Sequence, residues 1–183
     1  MNSATRRRAA DCADELTGLS PDGFAEAFGD HAAGVALVSA ETPRGAVIVV
    51  TGVQQLSADP PLFGFTLARA SRAAEGMLSA ESHVLHLLTA DQVGLVRKAE
   101  DASGAQLDWG VLYTGEPFVF GAAVWIRGEV VDRIETGDSV FVIAHATHAC
   151  YPPIGMTQDA SWPGPLVRHR GDWHELPRAT RLP

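Results

Sequence analysis

Two arginines and a serine in the run Arg69-Ala70-Ser71-Arg72 carry the clearest chemistry in this sequence. They stand where an apolar run ends and a helical pattern begins, so two guanidinium groups lie beside free N–H groups and the positive end of a helix dipole. That combination suits an anion such as a phosphate. The plain alternative is a capped helix with two solvated arginines. A second segment, Thr51-Gly52-Val53-Gln54-Gln55, is a polar patch between two apolar runs. Its adjacent amides can donate to the carbonyls and nitrogens of a ligand, or simply face water as a strand end.

The histidines invite a metal reading that their spacing does not support. In an extended chain with a period of two, His145 and His148 fall on opposite faces and only His148 shares a face with Cys150. His83 and His86 fail in the same way, so no metal site is expected. His86 sits in an apolar run, where satisfying the core is its expected role. His169 and Trp173 flank Gly171-Asp172, and Trp173 either walls a ligand pocket or closes one end of the fold. Ser139 and Ser161 lack the strand-turn-helix setting of a hydrolase nucleophile.

The whole chain narrows the classes. Its 183 residues are 46% hydrophobic and 20% charged, enough for one well-buried core. We expect a single domain over residues 20–183, preceded by a polar lead-in over 1–19. A formal net charge of -8 argues against a nucleic-acid backbone as partner, since such binding needs a basic surface. The one basic cluster is Arg6-Arg7-Arg8. No apolar stretch follows it as in a signal peptide, and none is long enough to span a membrane, so a cytoplasmic protein is expected. Cys12 and Cys150 are too isolated for a disulfide framework.

The elements that must position these residues are mostly strands. Ser20-Pro21-Asp22 reads as a helix start, with Phe24, Ala27, Phe28 and His31 at helical spacing up to Gly34. Val35–Ala40 and Gly45–Thr51 read as a hairpin turning at Glu41-Thr42-Pro43-Arg44. The corner Ser57-Ala58-Asp59-Pro60-Pro61 is expected to stop pairing before a strand over Leu62–Ala68, because two prolines remove two donors. Ser71 is expected to cap a helix through Ala80, and His83–Leu88 reads as a strand. Thr89-Ala90-Asp91-Gln92 has capping-box spacing ahead of a helix bearing Leu95, Val96 and Ala99. Phe118–Ile134 and Val140–Ala149 read as a long antiparallel hairpin around Glu135-Thr136-Gly137-Asp138. Six to eight strands without regular βαβ alternation favour a closed or nearly closed barrel over a doubly wound sheet. Neither common phosphate-loop glycine motif is present.

The order of these segments resembles the flavin reductase family of the FMN-binding split barrel, the small partners of two-component flavin monooxygenases. The resemblance rests on Phe28–Val38, on Ser57-Ala58-Asp59-Pro60-Pro61-Leu62 against a Ser-x-Asp-Pro-Pro-Leu corner, and on Val84–Leu88 with Ala90-Asp91-Gln92. Later matches are Gly115-Glu116-Pro117, Gly121-Ala122, Gly137-Asp138, and Pro165-Leu166-Val167-Arg168-His169-Arg170-Gly171. Together they cover residues 24–176.

The resemblance implies a mainly β split barrel, mostly antiparallel with short peripheral helices. It further implies a homodimer that binds FMN or FAD, takes hydride from NADH or NADPH, and supplies reduced flavin to a separate monooxygenase. The residues carried over to flavin binding are Val50, Thr51, Gly52, Val53, Gln54 and Gln55 for the ring, Arg69, Ser71 and Arg72 for the phosphate, and also His86 and His169. No catalytic residue is assigned, because Ser139 stands where the family has the histidine of Gly-Asp-His. His86 replaces a common asparagine, and of the hydroxyls usual over residues 47–52 only Thr51 remains. These departures keep an alternative open: a flavin-binding carrier or sensor without efficient NAD(P)H turnover. An interaction module that has lost flavin is a third reading.

Overall fold

A computed structural model describes residues 18–42, 46–101, 106–151 and 162–176. Residues up to His31 and those from Ala32 onward form separate compact units. In the first, the helix α1 (Pro21–Gly29) begins as its sequence requires: Ser20 Oγ accepts the Gly23 N–H at 3.1 Å, and proline occupies the first turn. Phe24 and Phe28 meet on one side with ring centroids 5.0 Å apart.

The second unit is built on a seven-stranded antiparallel sheet. Its strands are β2 (Ala36–Ala40), β3 (Ala46–Val50), β4 (Gln54–Ala58), β5 (Pro61–Ala68), β6 (Ser82–Leu87), β9 (Val124–Thr136) and β10 (Ser139–Cys150), in the order β3-β2-β6-β9-β10-β5-β4. Five short strands lie outside it in two small sheets: β1 (Ala33–Gly34) with β11 (Leu166–His169) and β12 (Asp172–Glu175), and the ribbon of β7 (Trp109–Val111) with β8 (Pro117–Val119). The helices α2 (Ala74–Ser79) and α3 (Val93–Asp101) complete it.

The sheet has apolar cores on both faces, which explains its unbroken hydrophobic runs. One gathers Val38, Ile48, Phe65, Leu67, Leu85 and Val142, with Met77 of α2. The other sets Leu37 and Val47 against Val96 and Ala99 of α3, Val119 of β8 and Leu166 of β11. β2 is therefore buried along its whole length. Its one polar side chain, Ser39, donates its hydroxyl to Pro117 O at 2.5 Å.

Several expectations are corrected. The proline corner does not end pairing, because residues 54–58 form β4 and pair antiparallel with β5 through Ala58 and Pro61. Proline is tolerated there because it is the first residue of β5, at the closing end of a hairpin on the sheet's edge. The helix expected from Ser71 begins at Ala74, and its N-cap position is Ala73 with no side-chain cap. Ser71 instead donates its N–H to Ala68 O at 3.0 Å in a tight turn. The run from Phe118 to Ile134 is broken after Val119, where Gln92 reaches across and its Oε1 accepts the Ala123 N–H at 3.2 Å. The Gln92 half of the capping box also holds, with Oε1 accepting the Thr89 N–H at 3.0 Å.

An extra residue, Thr147, interrupts the β9–β10 register between Ala146 and His148. This bulge returns His145 and His148 to one face, against simple alternation. Among the described residues no cluster of His, Cys, Asp or Glu could hold a metal ion. Part of the Glu41–Arg44 turn, Arg6-Arg7-Arg8, Cys12 and Ser161 lie outside the described residues. No helix among the described residues is long and apolar enough to cross a membrane.

The β6–β9–β10 layer depends on a glycine. A Cβ on Gly128 would lie 2.5 Å and 2.7 Å from ring carbons of Phe63 and 3.0 Å from the Ala144 Cβ. Phe63 and Ala144 are themselves buried. Gly128→Ala is expected to destabilise the protein by about 1–3 kcal/mol through overpacking, read as a lowered midpoint in urea with an unchanged slope.

Candidate functional site

Alternation along β5 and β10 separates core from surface and so creates a site. Phe63, Phe65 and Leu67 point inward with Val140, Val142 and Ala144. Gly64, Thr66 and Ala68 point outward, paired across the ladder with Ile143, Phe141 and Ser139. Gly52 folds back onto this outer face. The position of a Cβ on it lies 3.7 Å from Thr66 Oγ1.

At the end of β5 the chain turns through Arg69–Ala73, and that turn is tied to the tip of the β9–β10 hairpin. The Arg69 N–H donates to Asp138 O at 3.0 Å, and its guanidinium pairs with Glu135. Ser139 Oγ donates to Asp138 Oδ1 at 2.9 Å. Arg72 is exposed, and no described residue pairs with it. Arg69 and Ser139 are thus brought together through Asp138, and Gly52 meets Thr66 three residues before Arg69. At about 3.3 Å per residue, Thr66 and Arg69 are roughly 10 Å apart along the chain.

Val53, Gln54 and Gln55 line an apolar groove of about 530 Å³ together with Ala36, Leu85 and Ile126, residues of the inner core or packed against it. Val50 does not join them, because its side chain is buried in the inner core. His86 is also withdrawn from any ligand. It is fully buried, with Nδ1 3.3 Å from Leu37 O and Nε2 accepting the Val119 N–H at 3.0 Å, so Nδ1 carries the proton and donates to Leu37 O. Both ring nitrogens therefore serve the main chain, and the flavin contact expected of His86 is corrected. His169 lies on β11 in the separate three-stranded sheet, its ring 5.9 Å from that of His174. Trp173 packs against the outer core, with the Arg168 guanidinium 4.9 Å from its ring centroid.

One feature escaped the sequence reading. Glu116, at the turn into β8, is 2% exposed and receives Arg127 Nε at 2.8 Å, the Ser82 hydroxyl at 2.5 Å, and the Thr114 hydroxyl. Arg127 also donates to Glu129 and to Thr147 Oγ1, each at 2.9 Å. These groups line a polar cavity of about 680 Å³ and fasten the β7–β8 ribbon to the sheet. Arg127 is the residue a sequence could have offered: a charge inside a long β-branched strand calls for a buried partner.

The pieces on the outer face match one donor set: a free guanidinium and turn amides for a phosphate, a glycine loop for a flat ring, and exposed Thr66 between them. The sequence as a whole agrees. Residues 28–176 match the family described as flavin reductase like domain. The chain belongs to the flavin reductase family.

An NADH:FMN oxidoreductase of Rhodococcus qingshengii is 33% identical over 165 residues, covering 86% of this chain and 83% of that protein. The reductase subunit of a stachydrine N-demethylase from Rhizobium meliloti is 29% identical over 135 residues, 70% of this chain and 58% of that protein. The crystal structure of a flavin reductase domain protein from Arthrobacter sp. FB24 shares the fold, with a TM-score of 0.77 and 24% identity over 89% of this chain and all (100%) of that one. The flavin reductase fold is thus the fold of this chain, a split barrel with few short helices.

Buried groups of the scaffold set the protein's acid stability. Burial lowers His83 and His86 from 6.5 to about 4, against the opposing pull of their backbone hydrogen bonds. Burial alone would raise the Glu116 carboxyl, but hydrogen bonds from Arg127, Ser82 and Thr114 bring it down to about 2. All three groups bind protons more tightly when unfolded, so stability rises with pH. Stability is expected to be flat above about pH 6.5, to fall between 6.5 and 4 as the unfolded state takes protons on the histidines, and to fall again from about 4.5 toward 2 as Glu116 protonates. Denaturant midpoints measured from pH 8 to 3 check this, and His86→Asn should flatten the first limb.

Proposed function

We propose that this protein is an NADH-dependent flavin oxidoreductase that reduces FMN or FAD and supplies the reduced flavin to a separate monooxygenase. The observation that carries the reading is the docking of the Arg69–Arg72 turn on the Gly137–Ser139 turn, next to the Gly52 loop, in a chain 33% identical to an NADH:FMN oxidoreductase. The supply of a partner oxygenase is supported by its likeness to the reductase subunit of a demethylase.

In this reading the flavin supplies the hydride acceptor, and the protein binds and orients it. The Arg72 guanidinium and the N–H groups of Ala70, Arg72 and Ala73 take the phosphate, since those of Arg69 and Ser71 are bonded within the fold. Backbone amides of Gly52 and Val53 donate to the edge of the ring, and Gln54 and Gln55 border it. Ser139 already gives its proton to Asp138, so it holds the hairpin turn and does not act as an acid. His169 serves at the periphery, on a different sheet. Exposed Val111, Tyr113 and Phe120 support assembly as a homodimer, and the chain's acidity suits the cytoplasm.

Anaerobic addition of NADH to protein with bound FMN tests the reading. Bleaching of the visible flavin band within seconds is the expected result, with slower bleaching by NADPH. Tight binding without bleaching by either nucleotide would replace the reductase with a carrier or sensor. Arg72→Ala is expected to raise the Kd for FMN about five- to tenfold and leave that for riboflavin, which has no phosphate, unchanged. With no histidine at the hairpin turn, kcat/KM for NADH is expected to stay level from pH 6 to 8. Ser139→His should introduce an inflection near the ordinary imidazole value of about 6.5.

A further inference from the structure

We propose that Phe141, seated on Gly64, is the platform against which the planar ring of the flavin stacks. The inference rests on the reductase reading and extends it to a residue that neither motif nor resemblance selected. Phe141 lies on the outward side of β10, directly across from Thr66 and half-buried. Its ring is laid across Gly64 so closely that a Cβ there would meet Cζ at once, with Cε1 and Cε2 at 2.9 Å and 3.0 Å. Glycine at 64 is thus a seat cut for this ring, and the ring cannot sink lower.

The platform is open toward the hairpin turn. Its neighbours across the ladders are Thr66 and Ile134; the next row toward the turn is Ala68, Ser139 and Thr136, all small, and the row on the other side is Gly64, Ile143 and Asp132. Where a histidine at 139 would place a second ring, this chain has a hydroxyl bonded to Asp138. Phe141 is then the one aromatic side chain of β5 and β10 that points toward the face bordered by Gly52 and the Arg69–Arg72 turn. A flat, electron-poor ring of FMN or FAD gains most from an aromatic partner in offset contact. The phosphate-binding turn lies at the end of the same strand, so one ligand can reach both.

Phe141→Leu keeps an apolar side chain of similar bulk, and Phe141→Tyr keeps the ring. Titration of the full chain with FMN and with riboflavin, followed by flavin fluorescence, separates them. For Leu, both flavins are expected to bind about five- to tenfold more weakly and to keep more of their fluorescence when bound. Tyr is expected to match the wild type in both readouts. Gly64→Ala, which displaces the ring without removing it, should behave like Leu, and the KM for NADH should not follow the flavin Kd in any variant. Melting curves show which variants fold, and Gly64→Ala against wild type still decides if Leu does not fold. A Leu variant, or a folded Gly64→Ala variant, with wild-type affinity and wild-type quenching overturns the platform and leaves the reductase intact. A wild-type protein that binds no flavin at all overturns both.

Discussion

The register between β5 and β10 is the constraint on which the rest of the site depends. Pairing of Ala68 with Ser139 fixes which side chains of both strands enter the core, since a slip of one residue would expose Phe65 and Val142 and bury Thr66. The same register brings the end of β5 to the β9–β10 turn, where the Arg69 N–H finds Asp138 O. The apolar core therefore chooses the pairing, and the position of the Arg69–Arg72 turn follows from it. No interaction at the site itself has to be strong for the site to exist.

That ordering agrees with the unequal weights of the two ion pairs. Arg69 and Glu135 are exposed, with side chains 47% and 69% accessible, so their attraction is screened and contributes about 0–1 kcal/mol. Such a pair can open for a phosphate at little cost. Arg127 and Glu116 are 10% and 2% accessible, and removing either partner leaves a buried charge, a loss of about 3–5 kcal/mol. The strong pair belongs to the scaffold, under the β7–β8 ribbon. The weak one sits at the exposed tip of the β9–β10 hairpin.

Much of this was legible in the sequence, for reasons that differ by element. The α1 start, the β2–β3 hairpin, β5, β6 and the β9–β10 hairpin were all readable because their apolar runs are long and their turns carry Gly, Pro or Asp. β4 was missed because Gln54 to Ala58 is polar, and an edge strand exposed along most of its length shows no hydrophobic period. The ribbon and the three-stranded sheet were missed because strands of two to four residues leave no period to count. At the candidate site, the sequence points to residues bearing charge or hydroxyls and not to those that act through shape. Gly64 and Phe141 look like ordinary strand residues until the ladder sets one beside the other. His86 shows the opposite error: a residue with chemistry in its side chain, spent wholly on the main chain of Leu37 and Val119.

The absence of a histidine at 139 fits this division of labour. Hydride transfer between a nicotinamide and a flavin needs the two rings held in contact, and no proton need move through the protein at that step. An imidazole near the ring can add affinity or shield the ring from water, but both tasks are also met by apolar contact. On this face such contact is available from Phe141 with Ile134 beside it, and Ser139 is free to brace the turn through Asp138. A scaffold whose register is enforced by its core can lose a polar residue at the rim without losing the geometry that the reaction requires.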